Sequence, residues 1–106
     1  MSETPNLTYI KELADGSQSF EQKIIDIAKR EFLEEKKEFL QNYDNKIFGQ
    51  AAENVHKLKH KIGMFGMETG YQTTADFEQG LKENNPSLYP KFIVILDTIE
   101  YFLKTI

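Results

Sequence analysis

Apolar residues recur every three or four positions along almost the whole chain, which is the spacing of one face of an α-helix. No segment shows the sustained alternation of polar and apolar residues that marks a half-buried strand. Valine, a residue that favours strands, occurs only at Val55 and Val94. Groups of turn-forming residues divide the pattern into five segments. The sequence therefore predicts an all-α fold.

The N-terminal half of the pattern predicts a short helix followed by a long one. The short helix, over 7–14, takes Asn6 as its N-cap and ends at the Asp-Gly pair that follows it. The long helix takes Ser19 as its N-cap and extends to about Asn42, before a turn at 43–45. Its predicted apolar stripe consists of Phe20, Ile24, Ile27, Ala28, Phe32, Phe39 and Tyr43.

The C-terminal half predicts three further helices. The third covers about 46–65 and ends at Gly66, because glycine readily adopts the positive φ that helix ends favour. The fourth covers about 67–83, and the fifth carries Pro90 in its first turn. This last helix should be central to the fold, since its apolar positions are Phe92, Leu96, Ile99, Leu103 and Ile106.

Four long amphipathic helices joined by short turns predict an up-down-up-down four-helix bundle, with the additional short N-terminal helix across one end. The length of 106 residues suits a single domain, 1–106. The initiating Met1 and the lack of a linker favour a free-standing protein over a piece of a larger kinase.

Composition narrows the possible functions. The chain has no cysteine, which excludes disulfides, thiol catalysis and cysteine-ligated metal. Its formal net charge of −4 argues against extended nucleic-acid binding. No apolar run approaches the roughly 20 residues of a membrane span, and the start lacks a signal-peptide core. We therefore expect a cytoplasmic protein that contacts neither membrane nor nucleic acid.

Against this acidic background, the segment ENVHKLKHKIGMFG (53–66) gathers both histidines and several lysines. At about 100° per residue, His56 lies about 130° from the middle of the apolar stripe of its helix. His56 should therefore project into solvent rather than into the core. The stripe consists of Phe48, Ala51, Val55, Leu58, Ile62 and Phe65.

Small residues share the face of His56, namely Gly49, Ala52 and Gly63. Glycine inside a helix destabilises it by about 1 kcal/mol relative to alanine. The two glycines therefore indicate either that another molecule approaches the imidazole closely or that these surface positions vary neutrally. An exposed imidazole is largely neutral at pH 7 and therefore nucleophilic. Adjacent lysines would balance the charge of a phosphoryl group placed on the ring. This combination indicates phosphoryl acceptance.

The run His56-Lys57-Leu58-Lys59, with Gly66 ten positions after the histidine, resembles the His-x-Leu-Lys-Gly signature of histidine phosphotransfer (HPt) domains. The resemblance covers nearly the whole chain, because the five-helix pattern matches the four-helix bundle with an extra helix of that family. HPt domains serve phosphorelays of two-component systems. They accept a phosphoryl group from the aspartyl phosphate of one receiver domain and pass it to another.

The resemblance implies roles for individual residues. His56 would be the phosphoacceptor, through Nε2, and Lys59 would stabilise the phosphoryl charge. Gly63 and Gly66 would allow close packing and docking. The partners would be response-regulator receiver domains, a hybrid histidine kinase, or both. The receiver would bring Mg²⁺, so we expect no cofactor on this chain, and one accessible histidine favours a monomer.

Two positions depart from the HPt pattern. His60 stands where the family usually has glycine directly after the motif lysine, and its ring could crowd a phosphoryl group. Glu78 stands twenty-two residues after the histidine, where many members carry glutamine. Its carboxylate could accept a hydrogen bond from Nδ1–H and orient the ring, or it could repel the phosphoryl group.

Two alternatives remain beside phosphotransfer. The chain could be a non-catalytic docking module that binds an acidic partner. Its interface, like the one expected for a receiver, would comprise Gly49, Ala52, Lys57, His60, Lys61 and Gly63. Metal binding is the other, because His56 and His60 lie one helical turn apart. With no third histidine and no cysteine, we expect no metal site. No nucleophile–base–orienter trio is visible, so we do not expect a stand-alone enzyme.

Overall fold

A computed structural model describes residues 3–106, and these residues form five α-helices and no strand. The all-helical prediction and the division into five helices are confirmed. None of the helices in this part of the chain is long and apolar enough to cross a bilayer. The helices are α1 (Thr8–Ala14), α2 (Gln18–Asp44), α3 (Phe48–Met64), α4 (Glu68–Lys82) and α5 (Tyr89–Leu103).

The four long helices surround one hydrophobic core. Helix α3 packs against both α2 and α4, α5 packs against α4 and α2, and α1 packs against α2. The apolar positions Phe92, Leu96, Ile99 and Leu103 of α5 are buried, as the sequence predicts, whereas Ile106 lies beyond the end of the helix and is only partly buried. The largest fully buried side chains are Phe32, Phe39, Phe65, Phe77 and Phe92.

One end of the core is built from aromatic rings that join α2, α4 and α5. The rings of Tyr43 and Tyr89 stack with centroids 4.0 Å apart. Phe39 meets Phe92 of α5 edge-on at 5.2 Å and Phe77 of α4 edge-on at 6.0 Å. Burial raises the pKa of both tyrosine hydroxyl groups. These contacts fix the ends of three helices relative to one another.

The helix boundaries differ from the predicted ones by a few residues. Ser17, rather than Ser19, caps α2, because its Oγ accepts a hydrogen bond from the Phe20 amide at 3.2 Å. The predicted turn at 43–45 comes later, since α2 continues to Asp44. Lys46 has a φ of +58°, which is incompatible with a right-handed helix. Helix α3 therefore begins at Phe48 instead of Lys46.

Two members of the predicted α2 stripe do not belong to the core. Phe20 is 48% exposed and Ile27 is 38% exposed, whereas Ile25 is buried. The 27 residues of α2 span about 40 Å at 1.5 Å per residue, compared with about 22–26 Å for each of α3, α4 and α5. The residues that follow α5 end beside Lys29 of α2, whose ammonium donates a hydrogen bond to the Ile106 carbonyl at 2.6 Å. The first third of α2 therefore extends past α5.

The N-terminal segment joins the α3–α4 turn. The Glu3 carboxylate accepts hydrogen bonds from the amides of Thr69 and Gly70, at 2.9 and 2.8 Å, in the first turn of α4. Gly66 has a φ of +79° and ends α3, as predicted. The positive φ favours glycine, and a Cβ there would also lie 2.5–2.8 Å from atoms of the Asn6 side chain, which would have to move.

Candidate functional site

His56 lies in the middle of α3, and its side chain is 52% exposed. Val55, Leu58 and Ile62 are fully buried on the opposite side of the helix. These three residues anchor α3 to the core and thereby fix the direction in which the imidazole projects. The predicted outward position of His56 is confirmed.

Glu78 on α4 lies beside the imidazole, and its side chain is only 9% exposed. Its Oε2 is 3.1 Å from His56 Nδ1, and its Oε1 is 2.9 Å from Lys59 Nζ. Lys82, one turn later on α4, places Nζ 3.2 Å from Oε2. The carboxylate therefore joins α3 to α4 through His56 and Lys59, and Lys82 adds a third nitrogen donor from α4 itself.

The protonation state of Glu78 determines which ring nitrogen of His56 carries the proton and which carries the lone pair. Burial raises the pKa of the Glu78 carboxyl, but hydrogen bonds from Lys59, Lys82 and His56 together outweigh burial and leave the pKa below its usual value. Glu78 is therefore ionised near pH 7 and can only accept hydrogen bonds. His56 must then carry a proton on Nδ1. In the neutral ring, the lone pair is on Nε2, at the exposed edge of the imidazole.

His60 contacts that exposed edge. Its Nε2 is 3.4 Å from His56 Nε2, and the two rings are nearly perpendicular, at 88°. Because His56 Nε2 is unprotonated when the ring is neutral, the Nε2–H of His60 is the donor. The i, i+4 spacing is visible in the sequence, but the convergence of these two nitrogens is not.

The lysines of the 53–66 segment each face a carboxylate. In addition to the contact with Glu78, the Lys59 ammonium lies 5.8 Å from the centre of the Tyr71 ring. The hydrogen bond and charge of Lys61 lower the pKa of its partner on α2. The surface around His56 is thus less basic than the sequence alone suggests. The pairs are Lys57–Glu35 (3.9 Å), Lys59–Glu78 (2.9 Å) and Lys61–Glu31 (2.9 Å).

The small residues near His56 have three different environments. Gly49 is exposed, and a Cβ placed there would meet nothing within 4 Å. A Cβ on Gly63 would lie 3.1 Å from the Tyr71 ring, so this glycine admits the packing of Tyr71 against α3. Ala52 is 1% exposed, so its expected place on the exposed face is wrong. It lies about 40° round the helix from His56 towards the apolar stripe, on the flank that α4 covers.

Two contributors to this region were missed in the sequence. Lys82 lies one turn after Glu78, and this i, i+4 spacing was the available signal. Asn54 is 5% exposed between α2 and α3. Its amide nitrogen donates to Glu35, and its carbonyl accepts from Asn42 at 2.7 Å. A polar residue beside the apolar stripe was the only sequence sign of this contact.

Residues 3–106 bring together no group of three or more histidine or carboxylate side chains that could hold a metal ion. In comparisons with known proteins, no family model, curated protein or solved structure matches the chain. The function is therefore inferred from the residues and their geometry.

Proposed function

We propose that this chain is a histidine phosphotransfer domain. His56 accepts a phosphoryl group from the aspartyl phosphate of a receiver domain and passes it to a second receiver. The observation that carries this proposal is the contact between the exposed imidazole and the ionised Glu78, which places the Nε2 lone pair at the exposed edge of the ring. The domain is proposed to be a monomeric cytoplasmic protein whose four long helices run up-down-up-down.

The chemical step is a direct exchange of bonds at phosphorus. The Nε2 lone pair of His56 attacks the phosphorus atom, and a P–N bond forms as the bond to the aspartyl oxygen breaks. The aspartate leaves as a carboxylate and keeps that electron pair. The ring retains Nδ1–H and gains positive charge, which the Glu78 carboxylate stabilises at 3.1 Å. Transfer to the second receiver is the same exchange in reverse.

Lys59 and His60 are proposed to contact the incoming phosphoryl group. Lys59 uses one of its three ammonium protons on Glu78, so two remain for phosphoryl oxygens. Its partly buried stem keeps the ammonium near the ring. His60 must turn away from Nε2 before attack, since it occupies the lone pair. Its exposed ring is then able to donate to a phosphoryl oxygen.

The receiver is proposed to dock over the exposed side of α3. Gly49 leaves open space beside the imidazole, and Lys57 and Lys61 lie along the adjoining edge. Gly63 acts indirectly, by admitting Tyr71 against α3. Because the lysines face carboxylates of α2, we expect them to tune association rather than to provide strong net attraction.

One observation favours the alternative, a non-catalytic docking module. The Nε2 lone pair of His56 already has a partner in His60, as it would in a site with no covalent chemistry. The pairing of the lysines weakens the same alternative, since an acidic partner would meet little net positive charge. Phosphoryl transfer remains the better supported function.

Transfer assays separate the two functions. The chain is incubated with each of a panel of phosphorylated receiver domains, and the protein is tested for label that is labile in acid and stable in base. We expect label on the wild-type chain and on the His60→Gln variant, and none on His56→Gln. Absence of label with every receiver, or label that persists in His56→Gln, would contradict the proposal.

A further inference from the structure

We propose that His56 and His60 together form a surface site for a borderline divalent transition-metal ion, of the class of Zn²⁺, Cu²⁺ and Ni²⁺. This inference does not depend on phosphotransfer. It is also distinct from the structural zinc site that the sequence argues against, because the chain supplies two ligands here and water completes the coordination. Such ions prefer imidazole nitrogen, whereas Mg²⁺ and Ca²⁺ prefer oxygen.

The spacing of the two nitrogens fits a tetrahedral ion. The Nε2 atoms of His56 and His60 are 3.4 Å apart. An ion about 2.1 Å from each would subtend an N–metal–N angle of about 108°, close to the tetrahedral value. Both residues lie well inside the helix Phe48–Met64, so the backbone holds them one turn apart before any ion arrives.

The surroundings of His56 also favour metal ligation. A ligating imidazole usually donates its other N–H to a carboxylate or carbonyl, which fixes the tautomer and strengthens the ligand. His56 Nδ1 already makes this contact with the buried Glu78 carboxylate. Its Nε2 is therefore directed outward as a lone-pair donor. On binding, the Nε2 proton of neutral His60 moves to its Nδ1 through solvent, and its exposed ring turns towards the ion.

The electrostatic surroundings of His60 are acidic. This residue lies at the edge of a groove between α2 and α3 that contains two lysines and four glutamates, so acidic groups outnumber basic ones. A dication approaching through the groove meets net negative charge, which raises its local concentration. The glutamates are Glu31, Glu34, Glu35 and Glu38.

Metal binding would use the same lone pair as phosphoryl acceptance, and this consequence rests on the proposed function. An ion on His56 Nε2 blocks attack on phosphorus, so bound metal and transfer exclude each other. Zn²⁺ would then inhibit phosphoryl acceptance in the wild type. In His60→Gln, which keeps the nucleophile but loses the second ligand, inhibition would require at least about tenfold more Zn²⁺.

Calorimetric titration of the intact chain with Zn²⁺ tests the site without any receiver. The variants are His56→Gln and His60→Gln, with Lys23→Gln as the control at an exposed residue of α2 outside the groove, and circular dichroism verifies that each is folded. We expect Zn²⁺ to bind the wild type and the control with equal affinity. Both histidine variants should lose at least about tenfold in Zn²⁺ affinity. Mg²⁺ should not bind at this site.

The outcomes separate this proposal from phosphotransfer. Unchanged Zn²⁺ affinity in either histidine variant, or no Zn²⁺ binding to the wild type, would overturn the metal site whatever the transfer assays show. Zinc binding that depends on both histidines would support it even if no receiver phosphorylates His56.

Discussion

Replacement of Glu78 by glutamine tests the contact that organises the site. The carboxylate accepts from His56 Nδ1 at 3.1 Å, Lys59 Nζ at 2.9 Å and Lys82 Nζ at 3.2 Å. Glutamine keeps one carbonyl acceptor but turns a donor group towards whichever cations it no longer binds. The variant should therefore lose both stability and control over the orientation of the imidazole.

The loss of stability can be estimated from the exposure of each partner. Hydrogen bonds to charged groups contribute about 1.5–3 kcal/mol each when shielded from water. The side chains of Lys82 and His56 are 54% and 52% exposed, so solvent screens their contributions to about 1 kcal/mol or less. Lys59, whose side chain is 14% exposed, contributes most of the effect. We expect Glu78→Gln to lower the free energy of unfolding by about 1–3 kcal/mol.

The pH dependence has a definite sign. Because the pKa of Glu78 is lowered from 4.5 in the folded protein, its contribution is complete above about pH 4.5 and declines as the pH falls through the folded-state value. Urea unfolding as a function of pH measures this contribution. The difference between wild type and Glu78→Gln should be largest near neutral pH and shrink in acid.

A matched control isolates the contact from the change in charge. Glu53 is exposed, borders the same cleft as His56 and has no ion-pair partner among residues 3–106. Glu53→Gln should therefore change stability by less than about 0.5 kcal/mol. Nitrogen NMR of the His56 ring should show Nδ1–H in the wild type and this control, and a mixture of tautomers in Glu78→Gln. Equal stability of the two variants with unchanged tautomers would show that the Glu78 contact does not organise the site. Unimpaired phosphoryl transfer in Glu78→Gln would discard the orienting role.

Four further variants test the packing and charge around the site. Gly49→Ala should stabilise the protein by about 0.5–1 kcal/mol in urea unfolding. Gly63→Ala should destabilise it, because the new methyl group would lie 3.1 Å from the Tyr71 ring. Equal effects of the two substitutions would contradict this packing. Asn54→Ala should cost about 1–3 kcal/mol by the same measurement, since two polar partners lose their contact, and no change would argue against the α2–α3 link. Lys61→Ala should slow transfer from a receiver at about 0.01 M ionic strength and have little effect at about 1 M, and a salt-independent effect would count against the docking surface.

Periodicity and helix-end signals predicted much of the fold. The five segments follow from apolar spacing and from the Asp-Gly, Gly66 and Pro90 positions. The outward direction of His56 follows from helical geometry alone, because the apolar stripe of α3 fixes the opposite face. These features depend on residues close in sequence, and each can be read within one helix.

Contacts between helices were harder to predict. The exposure of Phe20 depends on how far α2 extends past its neighbours, which no single helix encodes. Ile27 lies level with the buried Ile25 and Ala28, so its exposure reflects the face of α2 on which it lies. Likewise, the burial of Ala52 depends on which flank of α3 is covered by α4. The lysine–glutamate pairs join α3 to α2 and α4, so counting charges within one segment overestimated the local positive charge.

The proposed transfer requires the neutral His56 ring to present Nε2 as the nucleophile. Its most direct test is nitrogen and phosphorus NMR of ¹⁵N-histidine-labelled protein after incubation with a phosphorylated receiver. We expect a phosphorus–nitrogen coupling at Nε2 of His56, with Nδ1–H retained. Phosphorylation of Nδ1, phosphorylation of His60 instead, or no P–N coupling at all would contradict it.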